Sequence, residues 1–258
     1  MKNMKKTLIL LNLLLILLLI SNTSESKAKE NIIYVDSGGE KEYFSIQEAI
    51  NNATDNDIIQ VLNGNYNESM YVNKSVKIKG EDKNSTIIRG TIFILTDGVE
   101  LSRFTINNSN YSKKGINIHS NQNTIRETTI SHCDIGINLS NSSNNLLYHN
   151  NFVNNTKNAV DYGENIWYNK TLQQGNYWDD YDSEDENLDG IGDIPYKITG
   201  LDSKDKYPLM MPYEDFLKIN ERGFNLDELS YVLIIGGIIS VFVLVPIAYY
   251  FRKKILKL

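Results

Sequence analysis

Cysteine is almost missing from this sequence. Cys133 is the only one in 258 residues, so no internal disulfide framework is possible and the fold must be stabilised by burial or by metal. Proline is also scarce, with four in all and none before Pro195. Asparagine is over-used instead, at roughly one residue in eight. Asn tolerates left-handed backbone conformations at modest cost, so many Asn with little Pro implies many tight turns between short strands. Basic charge is short in the body of the chain. Between Lys29 and Phe251 there are 18 basic and 31 acidic side chains, a net charge of −13. Nucleic acid and anionic lipid both require a basic surface, so both are disfavoured as partners, and cations are favoured.

Long apolar runs are confined to the two ends. Lys2, Lys5 and Lys6 precede a leucine-rich run from Leu8 to Ile20, broken only by Asn12. It falls short of the about 20 residues that span a bilayer. With Ser26-Lys27-Ala28 as a small-x-small cleavage site, residues 1–28 read as a secretory signal peptide, and the lack of a following Cys excludes a lipoprotein anchor. Tyr231 to Phe251 is uncharged and apolar, and its length fits a hydrocarbon core about 30 Å thick. Arg252, Lys253, Lys254 and Lys257 follow at once, and positive charge stays on the cytoplasmic side. The expectation is a single-pass plasma-membrane protein. Its domain is extracellular, 213–230 is a juxtamembrane linker, 231–251 a transmembrane helix and 252–258 a cytoplasmic tail.

Between these ends the apolar residues recur two apart, as in Ile92/Ile94, Phe104/Ile106 and Ile116/Ile118, which is the period of strands with one buried face. The strands themselves recur. Leu101, Ile125 and Leu147 form one series, and Ile106, Ile130 and Phe152 another. Gly115-Ile-Asn-Ile118 returns as Gly136-Ile-Asn-Leu139 and weakly as Asn158-Ala-Val160, while Asn123, Asn145 and Asn165 each open a unit. A period of roughly 22 residues with several strands per unit marks a solenoid. The Leu-x-x-Leu-x-Leu frame of leucine-rich repeats is missing. A parallel β-helix fits better, over residues 29–174, with ladders of Ile, Leu, Val and Phe inside and ladders of Asn at the turns.

A solenoid must close its ends, because an open coil exposes apolar surface and unpaired strand edges. Ile46, Ala49, Ile50 and Ala53 share one helical face, with Ser45 as N-cap and Glu48 three residues on completing a capping box. The aromatic stretch from Trp167 to Pro212 reads as the closure of the other end, with 175–212 as a C-terminal cap.

Phe44-Ser45-Ile46-Gln47-Glu48-Ala49-Ile50, Asp57-Ile58-Ile59-Gln60-Val61 and Gly64-Asn65-Tyr66-Asn67-Glu68 resemble the start of pectin-methylesterase-like and NosD-like β-helices. Gly175-Asn176-Tyr177-Trp178-Asp179, Asp189-Gly190-Ile191-Gly192-Asp193 and Asp205-Lys206-Tyr207-Pro208-Leu209 look like the close of archaeal NosD-like surface proteins. The resemblance covers roughly residues 32 to 211. It implies a right-handed parallel β-helix of the pectin-lyase-like, carbohydrate-binding and sugar-hydrolase type, an all-β fold with a short N-terminal capping helix.

The chemistry is thinner. Pectin methylesterases act through two Asp and an Arg, and only the Gly64-to-Glu68 element of their motifs is present. From Val99 to Val160 the only acids are Glu100, Glu127 and Asp134, in registers that do not stack, so no catalytic and no cofactor-binding residue is assigned. Copper requires clustered His, Cys or Met, but His119, His132 and His149 fall at different positions of the repeat. If Ile130 points inward, strand alternation turns His132 inward and Cys133 outward. Copper is disfavoured. Calcium is better supported. Asp185, Asn187, Asp189 and Asp193 occupy positions 1, 3, 5 and 9 of a loop with Gly190 at position 6 and the Ile191 carbonyl at position 7. Tyr196 stands at position 12 in place of a bidentate Glu, so Asp202 or Asp205 is expected to complete a structural calcium site. Trp167, Tyr168, Tyr177, Trp178 and Tyr181 form either a sugar-stacking platform or the apolar lid of the last coil. The leading expectation is a non-catalytic surface protein that binds cell-surface glycans or neighbouring envelope proteins. A polysaccharide hydrolase, lyase or esterase and a copper-handling protein are the alternatives.

Overall fold

Residues 30–108 and 114–222 are described in the computed structural model, and within them the 22-residue period becomes three parallel six-stranded sheets. The first sheet runs β1 (Ile32–Val35), β2 (Ile58–Val61), β5 (Lys77–Gly80), β8 (Glu100–Ser102), β11 (Thr124–Arg126), β14 (Leu146–Tyr148). The second runs β3 (Gly64–Tyr66), β6 (Thr86–Ile88), β9 (Thr105–Asn107), β12 (Thr129–Ser131), β15 (Asn151–Val153), β17 (Tyr177–Trp178). The third runs β4 (Met70–Val72), β7 (Ile92–Ile94), β10 (Lys114–Ile118), β13 (Ile135–Leu139), β16 (Lys157–Asp161), β19 (Thr199–Gly200). Neighbours in each sheet are one coil apart in sequence, so every coil contributes one short strand to each of three faces.

The sequence repeats are the stacking register. Ile125 lies between Leu101 and Leu147, Ile130 between Ile106 and Phe152, and Ile137 between Ile116 and Ala159. All of these are buried in one continuous core. Strands of two to five residues suffice because all but the end strands of each sheet are paired on both sides.

Asparagine ladders run along two corners, and they have a direction. Val99 N–H donates to Asn123 Oδ1, the Asn123 amide groups donate to Asn145 Oδ1 (2.9 and 2.8 Å), and those of Asn145 donate to Asn165 Oδ1 (3.0 and 2.9 Å). A second ladder runs from Thr128 N–H to Asn150, then to Asn176. Asn145 and Asn150 each give one amide proton back to a carbonyl of the preceding coil and their other donors to the next. The forward donors of the last rung must therefore find an acceptor. Carboxylates accept and do not donate. Asp161 accepts Asn165 Nδ2 at 2.8 Å, and Asp205 accepts Asn176 N–H at 2.7 Å; both carboxylates are fully buried. Each also accepts an indole N–H, Trp167 on Asp161 (2.8 Å) and Trp178 on Asp205 (3.1 Å).

Helix α1 (Ile46–Asn52) closes the first coil and buries Ile46, Ala49 and Ile50 as its periodicity requires. Ser45 accepts the Glu48 N–H, but Glu48 does not return the bond. Glu68 does this work from a neighbouring coil. Its carboxylate takes the N–H groups of Ile46 (2.9 Å) and Gln47 (3.1 Å) and the Ser45 hydroxyl (2.7 Å), where the helix dipole favours negative charge. The Gly64-to-Glu68 element is thus a structural brace.

The expected linker 213–230 begins as a helix, α2 (Tyr213–Arg222), docked on the flank of the solenoid. The Tyr213 N–H donates to Asn151 Oδ1, Glu214 accepts Asn151 Nδ2 and pairs with Lys83, and the Tyr213 ring stacks on His149 at 3.9 Å. Phe216 is buried beside Gly190. No local sequence signal marks this docking, because the contacts lie 60 and more residues away along the chain. Among the described residues no helix is long and apolar enough to cross a membrane. The expected signal peptide 1–28, the transmembrane segment 231–251 and the tail 252–258 lie outside the described residues.

Candidate functional site

The three outer faces differ in what they offer. On the first sheet the outward positions are charged and engaged with one another. Arg126 donates to Glu100 (2.7 Å) and to Glu127, and Lys77 pairs with Glu30. Glu100 stacks on Thr124 rather than on Glu127, so the register keeps the two acids apart, but the guanidinium bridges them. The second sheet carries α2 at Asn151. The third sheet faces outward without either feature.

On that third sheet the inward partners are Ile92, Ile116 and Ile137, and the residues between them form an outward column: Tyr71, Phe93, Asn117, Asn138, Val160. Tyr71 and Phe93 are stacked face to face, with ring centroids 4.8 Å apart and planes 5° from parallel, and Tyr71 is 52% exposed. Asn138 donates to Asn117 Oδ1 at 2.6 Å, continuing the column as an amide ladder. The pairing extends past the strands, through Leu95 N–H to Val72, His119 N–H to Ile94, Tyr162 N–H to Leu139 and Leu201 N–H to Asp161. This gives a second outward column of Leu95, His119, Ser140, Tyr162 and Leu201, in which Leu95, Tyr162 and Leu201 are exposed. Coils stack about 4.8 Å apart, so the columns run roughly 20 Å. In the first, exposure falls from Tyr71 through half-buried Phe93 to buried Asn117, Asn138 and Val160, and beyond Tyr71 the accessible groups are those of the second column. Period-two alternation and the repeat contained this signal; the sequence reading used it for the core and not for the opposite face.

The aromatic cluster of the C-terminal cap divides. Trp167 and Trp178 are fully buried, with Trp178 sandwiched between Phe152 (4.3 Å) and Tyr196 (4.1 Å), so neither can offer a face to a sugar. They are the lid, fixed by their bonds to Asp161 and Asp205. Tyr168, Tyr177 and Tyr181 are half-buried, and Tyr168 meets Tyr207 edge-on.

The acidic loop turns on its own amides. Asp185 accepts the N–H groups of Asp189 (3.2 Å) and Gly190 (2.9 Å), Asn187 accepts Asp189, Asp189 accepts Ile191 and Asp193 accepts Glu186. Gly190 has φ +83°, which a side chain rarely adopts. Asp205 is not near completing the loop; it is buried under Asn176. Among the described residues no three of His, Cys, Asp and Glu converge as a metal cluster.

His132 and Cys133 reverse the expectation. His132 is exposed and Cys133 is buried, because His132 takes a left-handed φ of +57° at the corner after β12 and so breaks the strand alternation. Burial pushes the Cys133 thiol up to about 11. His119 is exposed beside Asn117, while His149 is the buried histidine, bonded to Gln174 at 2.8 Å and pushed down to about 4 by burial.

A capped parallel β-solenoid whose third face carries the Tyr71–Phe93 stack defines the class of protein. Residues 18–183 match the family described as periplasmic copper-binding protein (NosD), and the chain belongs to it. No curated protein matches. ORF18 of Geobacillus virus E2 is similar over 51% of this chain, at 16% identity and a TM-score of 0.36, and the match spans 28% of that protein. The copper of the family's description does not fit the described residues: the three His lie on separate corners, and the one Cys is an inward thiol kept protonated by burial.

Proposed function

We propose that this chain is a non-catalytic surface protein that binds a polysaccharide along the outer face of the third sheet. Residues 1–28 export it and residues 231–251 hold it at the plasma membrane with the solenoid outside. The observation that carries the reading is the exposed Tyr71 ring stacked on half-buried Phe93, continued along the second column by exposed Leu95, His119 and Tyr162. Aromatic faces take the apolar sides of pyranose rings, and the exposed Tyr162 hydroxyl and His119 imidazole offer hydrogen bonds to sugar hydroxyls. A shallow site assembled from repeated coils suits a chain of repeated sugars better than one small molecule. The periplasmic character of the family supports an exported location.

The acidic loop belongs to the proposal as a structural calcium clasp. Asp185, Asn187, Asp189 and Asp193 recur along the sequence at the spacing of a calcium loop, and Gly190 with φ +83° supports the sharp turn such a loop needs. Binding would draw the carboxylates off the loop N–H groups they now accept.

A glycan array with the full chain tests the main reading. Tyr71→Ala with Phe93→Ala should lower binding of the selected glycan at least tenfold while leaving the melting temperature nearly unchanged, since both rings lie outside the core. Binding indifferent to this pair, or capture of an envelope protein with no glycan bound, would overturn it.

A further inference from the structure

The strip does not end in open solvent. Leu201, which follows Tyr162 on its second column, also lines a cavity of about 430 Å³ between the last coil and the hairpin of β18 (Tyr196–Lys197) and β20 (Lys204–Asp205). Its volume suits one or two sugar rings. Ile166, Tyr168 and Leu201 give it an apolar wall, and Asn165 and Ser203 line it with polar groups.

Charge sets this cavity apart. The body of the chain is strongly acidic, yet Lys170, Lys204 and Lys206 all line this one space, against Glu164 and Asp202. Among the described residues none of the three lysines is in an ion pair, which is also true of Lys79, Lys157 and Lys197, so it is their convergence on one space that distinguishes them. The Lys206 ammonium lies 5.7 Å from the centroid of the Tyr168 ring, so cation and ring face the same space. Three exposed cations gathered beside an aromatic wall suit an anion carried on a ring-shaped body.

We propose that this cavity seats an acidic sugar, a pyranose carrying a carboxylate, at the end of a mainly neutral glycan lying on the third face. This rests on the face reading above and names its substrate class. The charge balance limits the ligand to sparse acid. A polyanion would be repelled by the net charge of −13, whereas one carboxylate touching three lysines is inside the roughly 8 Å beyond which physiological salt screens the rest.

The test is calorimetric titration of the full chain with an oligosaccharide bearing one terminal uronic acid, its carboxyl-reduced counterpart, and inorganic phosphate. The acidic oligomer should bind about tenfold tighter than the reduced one, as expected for two or three exposed charge pairs of under 1 kcal/mol each. Lys204→Ala with Lys206→Ala should bring the acidic oligomer to the reduced level and leave the reduced oligomer unchanged. Tyr71→Ala with Phe93→Ala should weaken both oligomers alike. If the lysine pair changes nothing, the cavity assignment is wrong and the face reading stands. If the lysine pair matters and the aromatic pair does not, the face reading fails and the cavity survives. Phosphate binding as tightly as the acidic oligomer would overturn the sugar assignment in favour of a bare anion site, and no binding by either oligomer would overturn both.

Discussion

At its first coil the solenoid is closed by one amphipathic helix; at its last it is closed by two tryptophans held on two buried carboxylates. The difference follows from the direction of the asparagine ladders. Each rung donates toward the C-terminal end, so the first rung requires only a backbone donor, which Val99 and Thr128 supply. The N-terminal end is left with apolar surface to cover, and α1 covers it. The C-terminal end has donors left over as well as apolar surface, and so it requires acceptors inside an apolar lid. Asp161 and Asp205 meet both demands, each bonded to a terminal Asn and to the indole that roofs it.

The largest effect that bears on this comparison comes from the coils both ends protect. Ile137→Asp buries an unpaired charge between Ile116 and Ala159, at a cost of several kcal/mol, so folded protein should not be recovered. Asn141, exposed at φ +57°, should accept Gly with little change in melting temperature. Equal tolerance at the two sites would mean that the register above is wrong.

The two closures should then differ in sensitivity. Asn176→Ala strands the two Asn150 donors and removes the side-chain donor to Asp205, and should cost about 3–5 kcal/mol. Glu68→Ala frees the part-buried end of a short helix and should cost about 1–2 kcal/mol. Denaturant midpoints of the two variants check the order, and a more damaging Glu68 variant would reverse the account of which end is the tighter.

The same contrast explains what was legible in sequence. The coil core was readable because Leu101, Ile125 and Leu147 differ by a fixed interval and stack at that interval. Helix α1 was readable because its four apolar residues are local. Asn145 and Asn165 were readable as a ladder, but not its direction, which depends on which amide atom faces the next coil. Asp205 looked like a loop ligand because it is near the acidic loop in sequence, yet it is bonded to Asn176, 29 residues earlier. Docking of α2 rests on Lys83, His149 and Asn151, which nothing local links to Tyr213. His132 was misplaced because alternation was carried through a corner.

Calcium gives a smaller effect, confined to the C-terminal closure. If the loop from Asp185 to Asp193 binds the ion only when folded, calcium at a hundred times its dissociation constant adds about 2.7 kcal/mol. Chelation should lower the melting temperature, and Asp189→Ala should abolish the response while leaving the strands from Glu100 to Asp161 protected in hydrogen exchange. A melting curve indifferent to calcium across the millimolar range would leave a loop held by its own amides.

The smallest net effect is with pH, because two buried groups oppose each other across one window. Burial pushes Asp205 up to about 7 despite its hydrogen bonds from Asn176, Tyr207 and Trp178, against a usual value near 4. The folded state therefore holds this proton more tightly than the unfolded chain. Its contribution to stability is complete below about pH 4 and is lost as pH rises to about 7. Burial pushes His149 down to about 4 from an ordinary value near 6.5. The unfolded chain binds that proton more tightly, so this contribution is present above about pH 6.5 and is lost as pH falls toward 4. Between pH 4.5 and 6.5 the two slopes have opposite signs, and the natural chain should show a flat stability profile from this pair. Asp205→Asn removes one slope, and its stability should rise with pH through the window. His149→Gln removes the other and keeps a hydrogen-bonding partner for Gln174, and its stability should fall with pH. The measurement is the denaturant midpoint of the three proteins at pH 4.5, 5.5 and 6.5. Parallel profiles would mean that neither group changes its proton affinity on folding, and the C-terminal closure would then owe its strength to packing of Trp167 and Trp178 and not to a buried acid.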